Sequence, residues 1–244
     1  MTQSDARVAL VTGAGRGIGR AVALALARAG FSLCLAARTY AELEETRRLT
    51  ALPAKRALIV LVDLAAEEAP ENLAGAALDH FGRIDVLINN AGWATPRVPL
   101  LKVRSTDLAR MIAVNLHAPI ALTRIVAAKM STSGGGTIVN IASSAARNAP
   151  AGEAVYAAAK AGIVAFTHAA FAELRHHDVK LSVIVPGLVD TALIPPNKRI
   201  DRALMMPPED VASAVMQIVN SPPRTCPVEI VLEPQRDPAR GNKT

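Results

Sequence analysis

Tyr156 and Lys160 stand four residues apart in Tyr156-Ala-Ala-Ala-Lys160. Four residues is about one helical turn, so on a helix both side chains leave the same face. A free tyrosine has a pKa of about 10, too high for efficient proton exchange near neutral pH. A cation held beside it favours the phenolate and brings the pair into a useful range. The same spacing also occurs on ordinary solvated helices, so the surrounding chain must decide between the two. Ser143, in Ile141-Ala-Ser-Ser144, follows an apolar run, where a hydroxyl can donate to a developing oxyanion on a carbonyl. Asn115 lies inside a long helical stretch where its propensity is poor. Taken by itself it reads as a satisfied core amide.

A second group of residues has the chemistry of a phosphate cradle. Thr12-Gly-Ala-Gly-Arg-Gly-Ile-Gly19 follows an apolar run and opens a helical one. It does not fit G-x-G-x-x-G, because Ile18 stands where the third glycine would fall. It fits G-x-x-x-G-x-G through Gly13, Gly17 and Gly19. Glycines permit the tight turn, and helix N-terminal amides receive a pyrophosphate; a turn needed only for packing is the alternative. In dinucleotide sites an acid about twenty positions on holds the ribose 2′-hydroxyl. Here the second strand ends Leu35-Ala-Ala-Arg38, and Glu42 lies further along. Arg16 and Arg38 suit a 2′-phosphate instead, which favours NADP(H) over NAD(H). Asp63 can accept from an adenine amino group or cap the segment that follows it.

The elements that must position these groups alternate. Strands are expected at residues 8–12, 32–37, 57–62, 86–88, 137–141, 181–185 and 228–232. Helices are expected at 17–29, 40–51, 67–81, 105–130, 155–176 and 208–220. Regular β–α alternation with continuous apolar strands predicts a doubly wound, seven-stranded parallel sheet with helices on both faces, an α/β Rossmann fold in one domain over residues 1–244. Strand C-terminal ends form the ligand edge of such a sheet, which is where Asn89-Asn90-Ala91-Gly92 and Ser143 fall.

The 244 residues are 51% apolar and 20% charged, a globular composition without a disordered signature. The net charge of +6 comes from scattered bases. The densest groups are Lys198, Arg199 and Arg202, and the tail bases Arg236, Arg240 and Lys243. No stripe with a reading element is present, so no nucleic-acid partner is expected. Two cysteines, Cys34 and Cys226, make neither a disulfide framework nor a metal pattern and are expected as buried, reduced thiols. The five histidines lack metal-ligand spacing, His176 and His177 reading as a pair at a helix C-terminus. No metal is expected. A short polar N-terminus and no uninterrupted apolar span of membrane length give the expectation of a cytoplasmic protein without a membrane partner. A Ser-His-Asp hydrolase lacks its G-x-S-x-G elbow.

Taken in order, these motifs resemble the short-chain dehydrogenase/reductase family, in its compact single-domain branch, from about Val8 to Leu232. The resemblance is carried by Thr12-Gly-x-x-x-Gly-x-Gly19, Asp63, Asn89-Asn-Ala-Gly92, Asn115, Ser143, Tyr156, Lys160 and Pro186-Gly187 leading to Thr191. It selects Ser143 over Ser144 by spacing. It implies hydride transfer between a nicotinamide and a small-molecule ketone or secondary alcohol, with Asn115, Ser143, Tyr156 and Lys160 as the catalytic set. It further implies a kink or bulge at Asn115, whose carbonyl would hold water in a proton relay to Lys160. Cofactor contacts are implied at Gly13, Arg16, Gly17, Ile18, Gly19, Arg38, Asp63, Asn89, Ala91, Gly92, Tyr156, Lys160, Pro186, Gly187, Val189 and Thr191.

Specificity is expected from residues 93–104, 145–155 and 188–206, the last as a substrate lid with Leu193, Ile194, Met205 and Met206 as apolar wall. Residues 236–244 are expected as a polar tail. Residues 227–235 lack the Asp-Gly-Gly ending of the family's acyl-carrier-protein reductases, and the helix before Asn115 lacks a tryptophan common there. Both departures weaken a 3-oxoacyl-acyl-carrier-protein reductase assignment. The long helices are apolar on more than one face, and the resemblance implies a homodimer or homotetramer. A nicotinamide-binding sensor or scaffold without turnover is the alternative from another class.

Overall fold

The computed structural model describes residues 6–194 and 199–239. Lys198, residues 195–198 of the expected lid, and Arg240 and Lys243 of the tail lie outside the described residues. Seven strands form one sheet: β1 (Val8–Thr12), β2 (Ser32–Ala37), β3 (Ala57–Leu61), β4 (Val86–Asn89), β5 (Gly136–Ile141), β6 (Val179–Pro186) and β7 (Glu229–Leu232). Their order is β3-β2-β1-β4-β5-β6-β7, parallel throughout.

Alternation along each strand explains why both faces must be covered. In β1, Ala9 and Val11 join one core cluster, and Leu10 between them joins the other. The first face is packed by α1 (Gly17–Arg28) and α8 (Pro208–Val219), with Val22 and Leu26 meeting Val211, Val215 and Ile218 at helical spacing. The second is packed by α3 (Ala69–Phe81) and α5 (Ala118–Met130) through Leu73, Ala77, Leu122, Val126 and Met130. Each fully buried Val, Leu, Ile or Met among these contributes about 1.5–3 kcal/mol. The edge of the first face is closed by α2 (Tyr40–Thr50). Cys34 is buried and Cys226 half-buried, both as free thiols.

The chain winds from β1 out through β2 and β3, then returns to place β4 on the other side of β1. The connections after β1 and β4 therefore diverge, opening a crevice at their C-terminal ends.

The expected helix over residues 105–130 is three pieces: α4 (Ser105–Ile112), a π-helical turn at Ala113–His117, and α5. Pro119 is one cause. It has no N–H, so the α-type bond from residue 119 to the Asn115 carbonyl cannot form. The helix widens instead, and the Ala118 amide reaches back to the Ala113 carbonyl. Two further helices complete this side, the short α6 (Ala145–Asn148) and the long α7 (Ala154–Leu174).

Candidate active site

The crevice is a cavity of about 890 Å³ running along the C-terminal ends of β1, β2, β4, β5 and β6. Thr12 ties its floor together. Its Oγ1 donates to the Ile88 carbonyl at 3.2 Å and accepts from the Asn90 and Ala91 amides at 2.9 and 3.0 Å. The Asn90 side chain returns the link, donating to the Thr12 carbonyl at 2.9 Å.

At one end, Gly13 and Gly17 adopt φ of 64° and 53°, a region that favours glycine. A Cβ on Gly13 would lie 2.8 Å from Asn90 Nδ2, and one on Gly17 3.2 Å from Thr191 Cγ2. Arg16 caps α1 without a side-chain hydrogen bond to its amides, so they stay available to an anion in the cavity. Ile18 also lines this end. Gly19 has a different part: a Cβ there would lie 2.1 Å from the Gly13 carbonyl oxygen, so it allows α1 to close against the turn and does not line the cavity.

Arg16, Arg38, Glu42 and Asp63 surround the far end. Arg16 is tied to Glu42 at 3.4 Å, and Arg38 is exposed. Asp63 accepts from the Ala65 amide at 3.1 Å and from Arg110 at 2.7 Å. Burial opposes its ionisation, but the amide and the guanidiniums of Arg110 and Arg38 outweigh burial and hold its carboxyl below the usual range.

At the other end Ser143, Tyr156 and Lys160 converge. Ser143 stands beside the Tyr156 hydroxyl, placed to donate to it and so to favour its ionised form, and Ser143 Oγ also accepts from the Ala145 amide at 3.2 Å. Lys160 lies under the Tyr156 ring, its Nζ 5.8 Å from the centroid, and donates to the Ile141 carbonyl at 2.9 Å. Burial dominates both. It pushes the tyrosine up to about 12, against the Ser143 hydrogen bond, and the lysine down to about 8. Burial, and not the lowering expected from Lys160, therefore sets the direction of the tyrosine's shift. The lysine loses its charge before the phenol would ionise. Asn115 sits behind this group, 1% exposed, with Oδ1 3.2 Å from where a Gly92 Cβ would stand and Lys160 Nζ 3.9 Å from the same point.

Asn89 departs from expectation. Its side chain points away from the cavity, donating to Asn140 Oδ1 at 2.9 Å, Thr123 Oγ1 at 3.2 Å and the Pro119 carbonyl at 3.3 Å. The strand pleat explains this: adjacent residues face opposite sides, and Asn90 takes the cavity side. Ala91 and Gly92 line the cavity, as do Pro186, Gly187, Val189 and Thr191.

Of the expected apolar wall, Leu193 and Ile194 line the cavity. Met205 and Met206 are buried elsewhere, Met206 in the core beneath α8. Arg202, one of the densest group of bases in the sequence, reaches back to the Asp190 carboxylate, the Thr191 carbonyl at 3.1 Å and the Ile194 carbonyl at 3.0 Å. It fastens the segment carrying Thr191. Ala239 of the tail pairs with Ile200 and also lines the cavity, a placement no local pattern announces. Trp93, Arg97 and Glu153 complete this end. Glu153 was legible as a carboxylate three residues before Tyr156.

A family model described as short chain dehydrogenase matches residues 7–199. The chain is 35% identical to a 3-oxoacyl-acyl-carrier-protein reductase of Synechocystis, over 91% of this chain and 92% of that one. A metagenomic short-chain oxidoreductase solved in complex with NADP superposes with a TM-score of 0.83 at 32% identity, covering 96% and 100% of the two chains. A 3-ketoacyl-acyl-carrier-protein reductase from Brucella melitensis, complexed with NADH, gives 0.84 at 26% identity over 96% and 99%.

Proposed function

The chain belongs to the short-chain dehydrogenase family of nicotinamide-dependent oxidoreductases, and on that footing we propose that it interconverts a ketone and a secondary alcohol with NADP(H), Tyr156 exchanging the proton. The observation that carries this reading is the contact of Tyr156 with Ser143 over a buried Lys160, in the same cavity as the glycine turn.

The turn at Gly13 and Gly17, the α1 amides, Ala91, Gly92, Gly187 and Thr191 would hold the cofactor, and Arg38 with Arg16 would meet its 2′-phosphate. When bound, the cofactor supplies or accepts hydride at its nicotinamide. The remaining chemistry belongs to this chain. In reduction, Ser143 donates to the substrate oxygen and fixes its position. Tyr156, protonated near neutral pH because burial holds it at about 12, passes its proton to that oxygen. Lys160 keeps a positive charge below about 8 and favours the resulting phenolate. The Asn115 carbonyl, denied its helical donor by Pro119, is free to hold a water that returns a proton towards Lys160. Leu193, Ile194 and Trp93 form the apolar wall against the substrate.

α7 leaves Ala154, Ala158, Ala165, Ala169 and Ala172 exposed, with His168 and Glu173 its only other exposed residues. Such a face supports a second subunit, as dimer or tetramer, and light scattering that finds only monomer would count against it.

The test is NADPH oxidation with a panel of ketones, diketones and 3-oxoacyl thioesters, for the protein and for Tyr156→Phe. Turnover lost in the variant, with NADPH affinity kept, is expected. A fully active Tyr156→Phe would remove the tyrosine from its role. Tight NADPH binding without oxidation by any member would favour a sensor.

A further inference from the structure

We infer that Glu153 sets how readily Tyr156 gives up its proton, and that Arg97 limits this influence by pairing with Glu153. The inference rests on Tyr156 being the proton-transfer group. Glu153 caps the start of α7 three residues before Tyr156, a spacing that puts both on one helix face. Both line the same cavity. Arg97, on the loop after β4, donates from Nε to Glu153 Oε1 at 2.8 Å.

The backbone holds this pair in register. Val98 N donates to the Gly152 carbonyl at 2.9 Å. Gly152 has φ of +85°, and a Cβ on it would lie 3.1 Å from Arg97 Cβ. The two loops are docked, so Arg97 cannot leave Glu153 by a simple swing of the main chain. The Glu153 side chain is 25% exposed and that of Arg97 69%, so the carboxylate faces inward and the guanidinium faces water.

The charged groups sharing the cavity with Tyr156 are Lys160 and Glu153 on its own helix, Arg97, and Arg199 beside the lid segment; Arg16, Arg38, Glu42 and Asp63 lie at the far end. Among the described lining residues, Glu153 is thus the one carboxylate at the reaction end. A negative charge beside a phenol resists loss of its proton, and with the tyrosine half-buried in the cavity wall water screens it only in part. Glu153 acts on Tyr156 in that direction. Arg97 opposes it by neutralising the carboxylate. As an exposed ion pair the contact adds little to stability, so its consequence is electrostatic.

Tyr40 and Tyr156 are the only tyrosines. Near-ultraviolet tyrosinate absorbance, with the Tyr156→Phe signal subtracted, therefore isolates Tyr156 without a known substrate. It is read at the highest pH at which circular dichroism shows the fold intact. The ionised fraction should be higher than wild type in Glu153→Gln and lower in Arg97→Gln, each shift being roughly half to one pH unit. The double variant should match Glu153→Gln, because Arg97 acts through the carboxylate. Glu153→Asp and Arg97→Lys, which keep the charges, should stay near wild type. For any secondary alcohol the enzyme oxidises, the rising limb of kcat/KM against pH should move in the same order.

An unchanged ionised fraction in Glu153→Gln overturns the inference. So does an Arg97→Gln effect that persists in the Glu153→Gln background. The expected order in the absence of any turnover would support the charge setting and sink the proposed activity instead.

Discussion

Asn115 and Trp93 hold each other reciprocally: Asn115 Nδ2 donates to the Trp93 carbonyl at 2.6 Å, and the Trp93 amide donates to Asn115 Oδ1 at 3.2 Å. A further bond from Nδ2 to the Met111 carbonyl, 2.9 Å, anchors the amide within its own helix. The side chain thus pins the loop after β4 to the π turn.

Asn115→Leu keeps the bulk and removes every one of these partners. The half-buried amide and carbonyl of Trp93 lose their partner, at a cost of roughly 1–3 kcal/mol. Trp93 is the only tryptophan, so its emission reports the loop directly. A red-shifted emission and a lower denaturation midpoint are expected. Unchanged emission would mean that the loop is held by other contacts.

Lys160 gives a pH-dependent stability. Unfolded, it keeps its proton up to about 10.5; folded, it releases it at about 8. Between these values the unfolded chain binds the extra proton, so wild-type stability rises with pH through that window. Below about 8 both states are charged, and the folded protein bears the full cost of the buried ammonium. Lys160→Met should therefore be inactive yet more stable near neutral pH, by on the order of 2–3 kcal/mol less the lost bond to Ile141. The gain should shrink from pH about 8 to about 10.5 in urea denaturation. A pH-independent difference would show that burial does not move this lysine. Tyr156 loses stability in the opposite sense above about 10, equally in both proteins, and cancels.

The proposed preference for NADP(H) rests on Arg38. Arg38→Ala removes a charge-assisted contact and should weaken NADPH binding roughly ten- to a hundredfold, with NADH changed by less than about threefold. Arg16→Ala should do less, since Arg16 already engages Glu42 at 3.4 Å. Calorimetric titration of both cofactors reads the split. Equal losses for the two would remove the 2′-phosphate from the account.

Gly19 and Gly75 form a matched pair. A Cβ on Gly19 would sit 2.1 Å from the Gly13 carbonyl oxygen and 2.5 Å from Asn90 Nδ2, whereas nothing lies within 4 Å of one on Gly75. Gly19→Ala should cost about 3 kcal/mol or more and disrupt the turn. Gly75→Ala, inside α3, should stabilise by about 0.5–1 kcal/mol. Thermal denaturation of both variants checks the contrast, and a neutral Gly19→Ala would refute the close approach.

The sequence by itself determined the sheet and the order of the motifs. Strand alternation and helix periodicity are local, so β1 to β7 fall within a residue or two of expectation at most ends. The positions of Gly13, Gly17, Ser143, Tyr156 and Lys160 on strand ends and helix faces followed from the same periods. The π turn at Asn115 was implied by the resemblance alone, although Pro119, four residues on, is one local cause of it.

Direction and environment were decided only in three dimensions. Asn89 and Asn90 are chemically alike, and the pleat alone sends the first into the core and the second to the cavity. Gly19 looks like a phosphate-turn glycine, but the approach of α1 to Gly13 makes it a packing residue. Arg202 turns back on residues eight to twelve positions before it, and Ala239 pairs with the distant Ile200, so only the folded chain could bring them to the site. The Tyr156–Lys160 spacing states that the two groups meet and says nothing of how dry their surroundings are. Burial, a property of the whole fold, pushes the tyrosine up to about 12 and the lysine down to about 8, and so keeps the phenol protonated at rest.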